Sequence, residues 1–93
     1  MPVGLLTLEI ELPDAHSLKD KRQVLRSLKD RLKHRFNVAV AELDHHDLWQ
    51  SSTVGIVTIS NSAAHATQQL ETVLADAEKV LERCLVSHEI EIL

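Results

Sequence analysis

Three observations predict an α+β fold of βαββαβ order. Two long segments repeat apolar residues in steps of three and four, as helices with one buried stripe do. Four shorter runs are rich in Val, Ile, Leu and Thr, and the first and last of them alternate apolar and polar residues, as strands with one buried face do. The runs and the segments come in the order strand, helix, strand, strand, helix, strand.

Residues 3–12, VGLLTLEIEL, place Leu6, Leu8, Ile10 and Leu12 on one face and Thr7, Glu9 and Glu11 on the other. Pro13-Asp14 ends this strand. Ser17-Leu18-Lys19-Asp20 then resembles a capping box, with the serine oxygen facing an orphan amide and Asp20 at the positive helix end. The first helix carries its apolar stripe at Leu18, Leu25, Leu28, Leu32 and Phe36, and Asn37 can end it. Residues 38–43 and 51–60 read as the second and third strands, joined through Asp44-His45-His46-Asp47 and Leu48-Trp49-Gln50. Asn61-Ser62 caps a second helix whose apolar row is Ala66, Leu70, Val73, Ala77, Val80 or Leu81, and Cys84. His88 to Leu93 forms the last strand. Right-handed crossovers put both helices on one face of a four-stranded antiparallel sheet, a ferredoxin-like sandwich. Ninety-three residues hold one such domain, 1–93. A chain this short buries roughly 60–65% of its unfolded surface, so self-association would be a natural supplement to its core.

The remaining bulk features exclude several classes. Glu9 and Glu11 interrupt the apolar N-terminal run, which lacks a basic region and a small-residue cleavage site, so it does not read as a signal peptide. No run approaches the ~20 apolar residues that span a bilayer. Cys84 is the single cysteine, which rules out an intrachain disulfide and gives no sign of secretion. The expected location is the cytoplasm.

No residue set reads as a catalytic site, and no cofactor or metal is expected. Asp44-His45-His46-Asp47 has metal-ligand residue types. Adjacent histidines on a strand point to opposite faces, however, so the tetrapeptide reads as a solvated polar turn. His16 reads as a hydrogen-bonding or packing residue before the helix, and Ser17 as its cap. Cys84 reads as a buried small hydrophobe. Gly4 and Gly55 are isolated in strands and make no phosphate loop. Trp49 either anchors the hairpin connection onto the core, the commoner role, or stands exposed as a contact for a partner.

Charge is the informative feature. The net charge is −4, yet residues 19–35 carry +6 and the rest of the chain −10. At 100° per residue, Lys19, Arg22, Arg26, Lys29 and Lys33 fall within about 80° of arc, along one flank of the apolar stripe. Arg31 and Arg35 lie on the opposite flank. Such a row can neutralise phosphates without a sequence code. It can equally meet an acidic protein, or simply drape its stems over the core edge.

The stretches VGLLTLEIELPDAHSLKDKRQVLRSLKDRLKHRFNVAVAELDHHDLWQ (3–50) and VGIVTISNS (54–62) resemble the YlxP-like family of small bacterial proteins. The most distinctive parts are His16–Arg22, Phe36–Glu42 and Asp47–Gln50. The resemblance implies a ferredoxin-like fold and a genomic association with translation and ribosome-maturation factors. It carries over no catalytic residue. Ala39 departs from the serine usual at that position in the family, so any site built on that hydroxyl is weakened here.

The expectation is therefore a non-enzymatic accessory protein. It binds RNA or a ribosomal particle through Lys19, Arg22, Arg26, Lys29 and Lys33, with Trp49 as a candidate partner contact. The alternative is a protein-interaction or dimerisation module with an acidic partner. The sheet face left free of helices carries Val3, Leu5, Thr7, Glu9 and Glu11 on its first strand and lacks the aromatic pairs of RNA-recognition sheets. That face, or an edge strand, is the expected homodimer contact.

Overall fold

Every second residue of the first strand is withdrawn from water: Leu6, Leu8 and Ile10 are fully buried. That alternation is the pleat of β1, Val3–Glu11, which packs one face beneath two helices. The computed structural model describes residues 2–93, so Met1 lies outside it. After β1 come α1 (Leu18–Arg35), β2 (Ala39–Asp44), β3 (Ser51–Ile59), α2 (Ala63–Leu81) and β4 (Leu85–Ile92). All neighbouring strands are antiparallel, in the order β2-β3-β1-β4.

The expected caps are present. Ser17 Oγ accepts from the Asp20 amide at 3.1 Å, and Asp20 Oδ2 accepts in return from the His16 amide at 2.9 Å. Ser62 Oγ accepts from the His65 amide at the start of α2. From α1, Leu28 and Leu32 enter the core. From α2, Ala66, Leu70, Val73, Ala77 and Leu81 do so, over Leu6, Leu8, Ile10, Val54 and Ile56 of the sheet.

The C-terminal third departs from the sequence reading. Helix α2 stops at Leu81, and Glu82 takes φ 51°, which no α-helix continues. Glu82–Cys84 form a single 3₁₀ turn, and β4 begins at Leu85, three residues before the expected His88. The physical reason is pairing. β1 offers partners from Gly4 to Ile10, so β4 reaches back to Leu85 opposite Ile10, across a bulge. Cys84 is consequently half-buried at the core edge, beyond the end of α2, and not the fully buried small hydrophobe expected on its apolar row.

The helix-free face is divided. Leu5 and Val3 pair with Val57 and Ile59, and Ala39 and Ala41 continue the same face. Leu43, beside the β2 bulge, folds its side chain over Gly55, where even a Cβ would lie 2.7 Å from Leu43 Cδ1. On the β1–β4 side the same face holds Glu9, Glu11, Glu89 and Glu91. Thr53 and Ser51 donate across the strands to Glu9 and Glu11. No helix among the described residues is long and apolar enough to cross a membrane.

Candidate nucleic-acid interface

Helix α1 carries eight cations, and the fold sorts them into two kinds. Lys21 is buried, with 1% of its side chain exposed. Its Nζ donates to Glu42 Oε2 at 2.9 Å and to the carbonyls of His45 at 2.7 Å and Ser51 at 3.3 Å. The His46 carbonyl completes the cage at 3.4 Å. Ser52 Oγ also donates to Glu42 Oε2, at 2.6 Å. Burial would raise the Glu42 pKa, but hydrogen bonds from Lys21 and Ser52, with the charges of Lys21 and His46, hold it below its ordinary value. Lys21 is therefore a staple between α1 and the β2–β3 connection, not a solvated charge.

Arg31 and Arg35 face α2. Arg31 makes a bidentate pair with Asp76, at 2.9 Å from Nε and 3.0 Å from Nη2, and Arg35 Nη1 lies 3.3 Å from the same carboxylate. The Asp76 side chain is 6% exposed. The Arg31 hydrogen bond, with the charges of Arg31, Arg35 and Lys79, outweighs burial and holds the Asp76 pKa below its ordinary value.

The five residues of the expected row, Lys19, Arg22, Arg26, Lys29 and Lys33, are all exposed, and among the described residues none forms an ion pair. Arg22, Arg26 and Lys29 line a groove of about 460 Å³ between α1 and β2, floored by Leu25, Val40 and Val54. β2 is an edge strand, so the groove is open along that side. Lys19 and Lys33 extend the row beyond it, and from one to the other the helix rises about 21 Å.

The β2–β3 connection is tied to the start of α1. Besides the Lys21 staple, Gln50 Nε2 donates to the carbonyls of Pro13 at 3.1 Å and Ala15 at 3.2 Å, and the Leu12 amide donates to the Gln50 carbonyl at 2.8 Å. These bonds correct the anchoring role given to Trp49: Gln50 and Lys21 hold the connection, and Trp49 is 49% exposed beside a similarly exposed Leu48. Asp44-His45-His46-Asp47 is a turn closed by its own groups. Asp44 Oδ1 accepts from the His45 amide, and the His45 carbonyl accepts from the Leu48 amide. His46 Nε2 lies 3.1 Å from the Glu42 carbonyl. Among the described residues no three His, Cys, Asp or Glu side chains gather as a metal site.

Three charged residues escaped the sequence reading: Lys21, Glu42 and Asp76. A signal for Lys21 existed. The apolar stripe of α1 skips from Leu18 to Leu25, and Lys21 fills the gap, within about 20° of both Leu28 and Leu32. A charge at the centre of an apolar stripe needs a buried partner. Asp76, next to Ala77 and three residues after Val73, is the same signal on α2.

Fold and surface together define a small ferredoxin-like α+β protein with one unneutralised basic helix flank. The chain belongs to the family described as Protein of unknown function (DUF503), whose model matches residues 3–90. It is 35% identical to the uncharacterized protein YlxP of Bacillus subtilis (strain 168) over 89 residues, which are 94% of this chain and 97% of that protein. The likeness to the solution NMR structure of the de novo designed protein LFR1 1 with ferredoxin fold has a TM-score of 0.56 at 10% identity. It covers 100% of this chain and 83% of the designed one, and it bears out the expected fold.

Proposed function

We propose that this chain is a non-enzymatic accessory protein that binds RNA or a ribosomal particle through Lys19, Arg22, Arg26, Lys29 and Lys33. The observation that carries the reading is selective neutralisation. The fold supplies carboxylates to Lys21, Arg31 and Arg35 and leaves the other five cations of α1 in one unpaired, solvent-facing row. Such a row recognises closely spaced phosphates by charge alone. The association with translation and ribosome maturation implied by the family resemblance agrees with an RNA-bearing partner.

The test is co-sedimentation with ribosomal subunits at low and high salt, beside the Arg22/Arg26/Lys29→Glu variant. Salt-sensitive binding, lost in the variant, is the expected result. Unchanged binding by a folded variant would overturn the mechanism.

A second reading, an acidic protein partner, is favoured by the apolar floor of the groove and the open β2 edge beside it, which suit an added strand. Nuclease treatment separates the two, since a protein partnership survives it. The exposed Leu43, Val57 and Ile59 on the helix-free face support pairing with a second copy. Val57→Glu with Ile59→Lys should then shift the sedimentation coefficient from dimer to monomer, and an unchanged coefficient would remove that contact.

A further inference from the structure

Trp49 has no role in the core that explains it. It is the only tryptophan of the chain, it stands half in water, and Leu48 beside it does the same. The loop that carries them is fixed from three sides. The Lys21 ammonium holds the carbonyls of His45 and Ser51, the Gln50 amide holds those of Pro13 and Ala15, and the Leu12 amide holds that of Gln50. Lys21 lies between Lys19 and Arg22 in the chain, so the staple holds the loop that carries Trp49 against the start of α1, the helix that bears the basic row. An open concavity of about 390 Å³ is lined by Trp49 together with Asp47, Leu48, Gln50 and Ser51.

We infer that this site takes single-stranded RNA, with an unpaired base stacked on Trp49 and the adjoining phosphates on Arg22, Arg26 and Lys29. The inference rests on the phosphate-binding reading above and adds what distinguishes one nucleic acid from another. The loop carries Asp44 and Asp47, whose charge repels phosphate, so the part of the ligand that meets the indole is the uncharged base. In an A-form duplex the bases are stacked inward, and a base reaches an aromatic side chain only from an unpaired segment. Any base has a π-face, so one indole confers preference for single strands without a preference for sequence. The helix-free face has no aromatic side chain to compete, since Phe36 is the only other aromatic residue and packs against the core.

The chain has no tyrosine, so its near-ultraviolet-excited emission reports Trp49 alone. The test is titration of the full chain with a short oligouridylate and with a blunt RNA duplex of equal length, read by tryptophan quenching and by anisotropy of labelled RNA. The expected result is quenching by the single strand only, with the single strand bound about tenfold more tightly than the duplex. Trp49→Leu should lose about that factor for the single strand, keep the duplex affinity and keep the salt slope, while Trp49→Phe recovers most of the loss. Equal binding of both RNAs without quenching would overturn the stacking site and leave the phosphate row standing. Absence of binding to either RNA would overturn both.

Discussion

The two flanks of α1 carry the same kind of residue and meet opposite fates. On the flank toward α2, Arg31 and Arg35 converge on the buried carboxylate of Asp76. On the flank toward the β2 edge, Arg22, Arg26 and Lys29 overlook an open groove whose two carboxylates, Asp30 and Glu42, form no ion pair with any of the three. The difference lies in what stands across from each flank: a second helix on one side, the end of the sheet on the other. The second helix presents a buried carboxylate, which needs a countercharge, whereas a cation at the sheet edge stays hydrated. Guanidinium groups alone do not mark an interface.

The largest effect expected from breaking this contrast is on binding. Arg22/Arg26/Lys29→Glu should lower RNA affinity on the order of a hundredfold at moderate salt, with urea unfolding near that of the parent. For the parent, a plot of log affinity against log salt should have a slope of about −3.5 if five phosphates of a single strand are neutralised. A slope near zero would remove the row from the contact.

Next comes the staple. Lys21→Met strands the Glu42 carboxylate and removes the donor from three carbonyls, and should cost about 3 kcal/mol in urea unfolding. Adding Glu42→Leu should restore much of that loss, because an apolar pair needs no compensation. A Lys21→Met protein as stable as the parent would show that the cage contributes nothing.

Asp76→Asn should be milder, since the guanidinium groups it releases already reach water. Its informative consequence lies elsewhere. Freeing Arg31 and Arg35 should raise nonspecific RNA affinity severalfold, turning the quiet flank into a weak copy of the active one, measured by anisotropy.

The smallest effect is that of pH. Glu42 and Asp76 both have folded-state pKa values below their ordinary ones, so the unfolded chain takes up their protons first. The stability they contribute is fully present above the ordinary carboxylate range, about pH 4, and is lost as pH falls through the folded values. Urea midpoints should therefore decline on going from neutral pH into the acid range below about pH 4, and less steeply for the Lys21→Met/Glu42→Leu double variant.

Much of the fold was legible because local signals agreed with one another. The alternation from Leu6 to Leu12, the capping serines at positions 17 and 62 and the apolar steps of both helices are short-range facts, and β1, α1 and the start of α2 formed where they pointed, while α2 ended at Leu81, short of Cys84. The start of β4 was not legible, because Leu85 becomes strand through a partner, Ile10, far away in the chain. The basic row was legible as a row, since helical geometry alone groups its five members. That Lys21 does not belong with the solvated charges was marked only by its place in the apolar stripe.

The sequence by itself determined the order of elements, the faces they bury and the gathering of cations on α1, because period, capping and helical arc act over a few residues. Only the tertiary structure decided which cations are spent on Glu42 and Asp76, which stay free at the β2 edge, and that Gln50 rather than Trp49 pins the hairpin. Those outcomes depend on what lies across from each side chain, and opposition in space is set by how the helices cross the sheet, which no local pattern encodes.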